Sequence, residues 1–230
     1  MASQAWPARA GTGPDQNDQV DQWAQAVAWL AVQDASMGAF MAAAGPCTLV
    51  RRRFQGGDFA ALARSVLYQQ LATGAAAAIH GRFAALYGDR PTPEAVASTP
   101  IDDLRAVGLS AAKAASVKDL AAKVLDGTVR LGGIGRLPDD EAVALLCRVR
   151  GIGPWTAEMF LMFQLNRPDV WPVGDLGVRA GYARIHGLAA APGPRDLLVL
   201  GERYRPWRTV AAWYCWRAID AGVSSPPAGW

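Results

Sequence analysis

Apolar residues recur at helical spacing along most of the chain, and this periodicity limits the fold more than any other sequence feature. Near the N-terminus, Trp23, Val27 and Leu30 lie three or four positions apart, as on one face of a helix. Alternating strand patterns are absent apart from an ambiguous segment at 47–54. Further helices are predicted to begin near Phe59, Ala75, Pro100, Ser110, Asp139, Trp155, Asp175 and Trp207, with loops at Pro91–Pro93 and Leu131–Leu137. The sequence therefore predicts an all-α protein.

The chain is long enough to form one helical domain with a substantial core. It has 230 residues, of which 51% are hydrophobic, and this fraction excludes a disordered chain. Polar ends rich in glycine and proline predict loose tails at 1–18 and 223–230, around a domain at 19–222. There is no run of about 18 apolar residues, and the first residues lack the apolar segment of a signal peptide. We therefore expect a cytoplasmic protein without a membrane anchor.

The few cysteines and histidines argue against several kinds of site. Cys47, Cys147 and Cys215 are odd in number and widely spaced, so they encode neither a disulfide framework nor a zinc or iron–sulfur site. His80 and His186 are the only histidines, which argues against a histidine-based metal site or a Ser-His-Asp triad. We therefore predict no metal bound by side chains.

Two predicted helices are joined by a short glycine turn within the segment 139–166. Gly151 and Gly153 allow positive φ and close approach of another backbone, while Ile152 between them can plug into the core. Pro154 suits the first position of the second helix, whose unpaired N–H groups point outward at the positive end of the helix dipole. The turn therefore favours a phosphate site. The alternative is an ordinary αα-hairpin with glycine caps.

Four segments in order resemble the helix-hairpin-helix base-excision DNA glycosylases, the HhH-GPD superfamily, and within it the DNA-3-methyladenine glycosylase II branch. Segment 59–73 resembles an early core helix of that branch, and segment 146–157 resembles its hairpin. Segment 170–175 resembles its Gly/Pro-rich loop, which ends in an aspartate, and segment 205–216 resembles its closing helix. The aspartate, Asp175, follows the second hairpin glycine by 22 residues.

The resemblance covers roughly 58–221 and implies two helical subdomains that flank an active-site cleft. It also implies the compact form of the branch, without the additional N-terminal α/β domain that matched bacterial enzymes often carry. In lyases of the superfamily a lysine follows the second hairpin glycine by two residues, and here that position is Trp155. We therefore expect a monofunctional glycosylase in base excision repair, with Asp175 as its catalytic carboxylate. The alternative for Asp175 is a plain N-cap of the following helix.

A single carboxylate suits one kind of leaving group. Breaking an N-glycosidic bond develops positive charge on the sugar, and a fixed carboxylate stabilises that charge and can orient the attacking water. An alkylated purine already carries positive charge and leaves without a second acid. This match favours double-stranded DNA with alkylated bases, of the 3-methyladenine and 7-methylguanine class, as substrate.

The resemblance also implies how DNA is held and the base received. The turn residues Gly151, Ile152 and Gly153, with Thr156, are expected at the DNA. The flipped base is expected in a pocket formed by Trp155, Met159 and Trp216, and the hole that it leaves is expected to be filled by Gln70 and Leu71. Trp216 and Leu71 have core packing as their alternative. A monovalent cation on the hairpin carbonyls is the only cofactor considered, and the protein is expected to be a monomer.

Two other functions are compatible with the same residues. One is a non-catalytic helix-hairpin-helix module that only grips DNA phosphates, and the other is a glycosylase for oxidised or mismatched bases. Release of free base from alkylated DNA would separate both from the main prediction.

Overall fold

The computed structural model describes residues 14–49 and 56–219 of the protein. In this part of the chain every regular element is helical, which confirms the all-α prediction. Two short 3₁₀ segments, Leu131–Arg136 and Gly201–Tyr204, precede α8 and α12. The α-helices of the described residues are α1 Pro14–Gln33, α2 Ala35–Ala44, α3 Gly57–Tyr68, α4 Thr73–Ala85, α5 Pro93–Ser98, α6 Ile101–Ala106, α7 Ala111–Leu125, α8 Asp139–Leu146, α9 Pro154–Phe163, α10 Leu176–Ile185, α11 Pro194–Leu200 and α12 Arg208–Ile219.

Side-chain caps determine where several helices begin. Ser110 accepts a hydrogen bond from the Lys113 N–H at the start of α7, and Asp175 accepts one from the Val178 N–H at the start of α10. Each cap satisfies one of the N–H groups that the first turn of a helix leaves unpaired. Both helix starts agree with the sequence prediction. None of the described helices combines the length and apolar character that crossing a membrane requires.

The helices pack as two groups, which confirms the prediction of two helical subdomains. In the first group α7 packs against α3, α5 and α6, while α3 also contacts α4 and α9, and α8 pairs with α9. In the second group α10 and α12 form the most extensive helix pair, and α1 and α2 pack against α12. The segment between α9 and α10 passes from one group to the other. It ends at Asp175.

Large apolar side chains fill both groups. Leu62, Leu67 and Leu120 are fully buried among the helices of the first group, and Trp23 and Tyr214 among those of the second. Burying a side chain of this size stabilises the fold by about 1.5 to 3 kcal/mol. These residues form the scaffold that holds the segment before α10 in place.

The structure differs from the sequence predictions at the shorter helices. Residues 14–18, expected to be loose, belong to α1. Pro93, expected in a loop, occupies the first turn of α5 because Thr92 caps that helix. Helices α2 and α11 had no counterpart in the prediction. The helix that begins at Asp139 was expected to extend to Arg150, but α8 ends at Leu146. Residues 47–49 form no regular element, while 50–54, 1–13 and 223–230 lie outside the described part.

Candidate active site

The carboxylate of Asp175 is held by three hydrogen bonds at the start of α10. Its Oδ1 accepts from the Val178 N–H at 2.8 Å and from the indole Nε1–H of Trp216 at 2.9 Å. Its Oδ2 accepts from the indole Nε1–H of Trp155 at 2.6 Å. Asp175 is 8% exposed. The acid therefore caps a helix and at the same time has a fixed orientation at the junction of the two helix groups.

Gly177 makes room for one of these donors. A Cβ at this position would lie 2.8 Å from Cδ1 of Trp216 and 3.0 Å from Oδ1 of Asp175. Both distances are shorter than an ordinary contact, so a larger residue would push the indole away from the acid. The Trp216 ring is buried and stacks on Phe163 with 6.0 Å between ring centroids, which further fixes its position.

The three residues predicted to form a base pocket lie in different environments. Trp155 is half-buried and Trp216 is buried, and both present their indole N–H groups to Asp175. Met159 lies one helical turn after Trp155 on α9, with 0% exposure. The structure thus brings Trp155, Trp216 and Asp175 together, and it places Met159 in the core behind them.

In the glycine turn between α8 and α9, only the first of the two glycines uses the positive φ that the sequence allowed, because Gly153 has a φ of −99°. Gly151 has a φ of 77°, in the left-handed region, and a Cβ there would lie 2.6 Å from Oγ of Ser116 on α7. Ile152 is buried and serves as the predicted plug, while Gly153 is exposed as the N-cap of α9 without any side-chain cap. The N–H groups of the first turn of α9 are therefore available to an anion.

Several oxygen atoms of the hairpin accept hydrogen bonds from the protein. The carbonyl of Val149 accepts from the Ile152 N–H, and that of Arg148 accepts from Nζ of Lys123. The carbonyl of Gly151 and the buried hydroxyl of Thr156 both accept from Nε2 of Gln69. The side chain of Thr156 therefore forms a hydrogen bond with Gln69 within the protein. In the described ranges, no three histidine, cysteine or acidic side chains come together as a metal site.

The turn after α3 carries Gln70 and Leu71, which were predicted to enter the DNA. Gln70 is exposed and has a φ of 55°, in the left-handed region. Leu71 is half-buried and packs against the core. The neighbouring Gln69 ties this turn to the hairpin, at 2.9 Å from its Nε2 to the Gly151 oxygen. Of the two predicted residues, the more accessible is Gln70.

Glu158 is a second acid near the site, and the sequence analysis missed it. It lies on α9, one turn after Trp155, and is half-buried. Burial raises the pKa of Glu158, and the charge of Asp175 raises it further, to about 7. Its signal in the sequence was that it is the one charged residue in the otherwise uncharged helix α9.

Comparison with known proteins identifies the family to which the chain is similar. The family model described as HhH-GPD superfamily base excision DNA repair protein matches residues 63–205. A relative, DNA-3-methyladenine glycosylase 1 of Schizosaccharomyces pombe, is 40% identical over 72% of this chain and 74% of its own length.

Two solved structures are similar over most of the chain. One is the 3-methyladenine DNA glycosylase of Schizosaccharomyces pombe in complex with abasic DNA, with a TM-score of 0.75 and 35% identity, covering 84% of this chain and 95% of that one. The other is a DNA-3-methyladenine glycosidase of Bacillus halodurans, with a TM-score of 0.77 and 31% identity, covering 85% of this chain and 89% of that one. The fold predicted from the four motifs is thereby confirmed. The hairpin, the aspartate and these matches all indicate the same family. The chain belongs to the HhH-GPD superfamily of base excision DNA repair proteins.

Proposed function

We propose that the protein is a monofunctional DNA glycosylase that removes alkylated bases from double-stranded DNA by hydrolysis. The observation that carries the proposal is the Asp175 carboxylate, fixed by two indole N–H groups beside a hairpin whose N–H groups are free for phosphate. The names of the relatives, DNA-3-methyladenine glycosylases, support the same substrate class. All residues of the site come from one chain, so a monomer suffices.

Asp175 acts on the sugar rather than on the base. As the N-glycosidic bond breaks, positive charge develops on the deoxyribose, and the carboxylate stabilises it. At about 4 Å and an effective dielectric constant near 20, this attraction is worth on the order of 4 kcal/mol, or roughly a thousandfold in rate. Because the two indole donors already hold the carboxylate in place, little reorganisation is needed during the reaction.

The leaving base needs no acid of its own. A purine alkylated at N3 or N7 carries a positive charge and departs as a neutral molecule. Water oriented by Asp175 then attacks the sugar, and the proton that the water loses passes to the carboxylate. The exposed part of Trp155 offers an aromatic surface for such a cationic base, a contact worth about 0.5 to 2 kcal/mol. The proposed reaction uses water alone. A monovalent cation on the hairpin carbonyls stays a prediction.

No lysine is available for lyase chemistry. The chain has three lysines, Lys113, Lys118 and Lys123, and all lie on α7 with their Nζ atoms donating to main-chain oxygens. A Schiff base with the sugar needs a free amine beside it, and Trp155 occupies the hairpin position where lyases carry one. The abasic product should therefore keep an intact strand.

Substitution of Asp175 by asparagine tests the proposal. Asp175→Asn keeps the size of the side chain and the acceptor for the Val178 cap but removes the charge, so base release should fall about a thousandfold or more. The measurement is single-turnover release of 3-methyladenine and 7-methylguanine from alkylated duplex DNA, with binding to abasic-site DNA measured in parallel. Binding should stay within about threefold of the wild type, because the hairpin is untouched.

The exposed Asp126→Asn substitution serves as the control and should be neutral. Normal turnover by Asp175→Asn would remove this residue from the mechanism. DNA binding without base release by the wild type would indicate a non-catalytic module, and release of only oxidised or mismatched bases would change the substrate class. Strand cleavage, or an adduct trapped by borohydride, would contradict the monofunctional assignment.

A further inference from the structure

One helix, α7, contacts both elements that would meet DNA. We call residues 69–71 the tip turn and residues 147–153 the hairpin turn. At the tip turn, Nζ of Lys113 donates to the carbonyl oxygens of Leu67 and Gln69, each at 2.7 Å. These are oxygens at the C-terminal end of α3, where helix carbonyls lack intrahelical partners. A cation at this end also complements the helix dipole.

The same helix supports the hairpin turn further along its length. Oδ2 of Asp119 accepts from the Arg150 N–H at 2.7 Å and from Nζ of Lys123 at 2.9 Å. Nζ of Lys123 also donates to the carbonyl of Arg148. Between these contacts, Ser116 packs directly against Gly151. The hairpin turn therefore has polar contacts with α7 at Arg148 and Arg150, just before its first glycine.

Hydrogen bonds also join the tip turn directly to the hairpin turn. Nε2 of Gln69, in the tip turn, donates to the Gly151 carbonyl at 2.9 Å and to Oγ1 of Thr156 at 3.2 Å. The main chain of Gln69 is therefore held by Lys113 of α7, and its side chain is held by the hairpin. The tip turn, the hairpin turn and α7 form one connected unit, although the residues that link them are 25 to 82 positions apart in sequence.

The geometry of α7 sets the spacing within this unit. From Lys113 to Asp119 the helix rises about 9 Å, and the supporting side chains occupy roughly a third of its circumference. At the tip, Gln70 has a φ of 55°, a conformation that costs energy for any residue other than glycine and persists only when its surroundings hold it. The Gln69 oxygen that Lys113 binds is the carbonyl immediately before Gln70.

We propose that Lys113 is a positioning residue, which holds the tip turn so that Gln70 enters the base stack at a fixed distance from the phosphate bound by the hairpin turn. This inference rests on the proposed function, because it concerns how the duplex is opened before the base is cut. Loss of Lys113 should then slow extrusion of a paired base. It should leave the cleavage step at Asp175 nearly unchanged.

Lys113→Met tests this role, and Lys118→Met is its matched control. Lys118 lies on the same helix and likewise donates to main-chain oxygens, those of Ala97 at 2.6 Å and Thr99 at 2.7 Å, but these belong to the end of α5 and not to the tip turn. Single-turnover release of 7-methylguanine is measured from a duplex in which the lesion faces cytosine, and from one in which it faces an abasic position. A lesion facing an abasic position has no partner base to break away from and leaves the stack more readily.

For Lys113→Met we expect roughly a tenfold loss with the paired lesion and less than about threefold with the unpaired one. Lys118→Met should stay within about twofold of the wild type on both. Gln69→Leu, which keeps the approximate shape and removes the link to the hairpin, should repeat the selective loss, and Lys113→Arg should restore part of the rate. Equal losses on both duplexes for Lys113→Met and Gln69→Leu, or a Lys113→Met that behaves like Lys118→Met, would overturn the proposal.

A second readout separates this inference from the proposed function. Duplex DNA with an abasic site and a neighbouring 2-aminopurine becomes fluorescent when a side chain disturbs the stack. We expect the wild type and Lys118→Met to raise this signal, and Lys113→Met and Gln69→Leu to raise it clearly less at saturating protein. If the wild type released no alkylated base, the proposed function would fail, while a normal signal from Lys113→Met would refute the positioning role on its own.

Discussion

Trp155 and Trp216 contribute to the site through the edges of their rings. Both were expected to line the pocket for the flipped base, yet both direct their N–H groups to Asp175 and so orient the acid. A half-exposed Trp155 can still offer a face to the base. The buried Trp216 has one face against Phe163, so its contribution to the present arrangement is to hold the carboxylate.

Glu158 provides a prediction about pH. Its raised pKa, about 7 against an ordinary value of 4.5, means that the folded state prefers the protonated acid. Ionisation of Glu158 therefore destabilises the fold progressively from about pH 4.5 to 7, and by roughly 1 to 3 kcal/mol above pH 7. Glu158→Gln should be more stable than the wild type at pH 8 by that amount and nearly equal to it at pH 4.5. Urea unfolding at the two pH values measures the difference.

Glu141→Gln, an exposed acid on α8, is the matched control and should change stability little at either pH. A Glu158→Gln variant whose advantage does not grow with pH would contradict the assignment. The raised pKa of this acid could not be predicted from the sequence. It depends on burial in the fold and on the charge of Asp175, which lies 17 residues away and on another element.

At the scale of elements, one buried carboxylate joins parts of the second helix group. Asp34 caps α2 through the Met37 N–H, and its Oδ2 lies 2.8 Å from Nε2 of His186 and 2.7 Å from the Tyr204 hydroxyl, which donates to it. Burial alone would raise the pKa of Asp34, but these hydrogen bonds together lower it to about 2. The carboxylate therefore links the start of α2 to the end of α10.

The sign of this shift gives a second pH prediction. Because the folded-state pKa lies below the ordinary value of 3.8, Asp34 contributes about 2 kcal/mol of stability above pH 4, and this is lost as the pH falls toward 2. Asp34→Asn should lower the free energy of unfolding at pH 7 by at least that amount and reduce its slope between pH 4 and 2. Asp196→Asn, at an exposed position of α11, should change neither quantity. Unchanged acid sensitivity in Asp34→Asn would refute the prediction.

Some elements were predictable from the sequence and others were not, for physical reasons. Helix α7 has a Ser110 cap and apolar residues at helical spacing, so its start agrees with the prediction. Helix α2 is composed almost entirely of small or apolar residues and has no polar face, so periodicity could not reveal it. The Gln69 link to the hairpin spans 82 residues and leaves no local pattern.

At the scale of the whole molecule, ion pairs join the segment before Asp175 to α12. Arg208 is buried and donates through Nε at 2.7 Å and Nη2 at 3.0 Å to the carboxylate of Asp169, and through Nη2 to its carbonyl. Arg205 donates to the same carboxylate at 2.6 Å. These contacts hold the chain six residues before the acid, so they stabilise the fold and the position of Asp175 together.

Removal of Arg208 should weaken both properties. Arg208→Met leaves Arg205 as the one guanidinium among the described residues that binds Asp169, and we expect a loss of about 3 kcal/mol, seen as a fall in Tm of roughly 6 to 12 °C. Base release at a temperature where the variant is folded should also slow, because the segment leading to Asp175 is less restrained. Arg195→Met, at an exposed position of α11, should leave Tm and rate within error. A stable Arg208→Met with a normal rate would show that this network is dispensable.

The turns proposed to bind DNA and the proposed catalytic acid belong to different helix groups, and this separation has a practical consequence. The tip turn and the hairpin turn lie in the first group, whereas the acid stands at the start of α10, where the second begins. In the proposed mechanism, DNA binding and cleavage of the glycosidic bond therefore depend on different parts of the chain. A protein that lacks only the charge of Asp175 should still scan duplexes and pause at lesions, which would make it a marker for damaged positions in a genome.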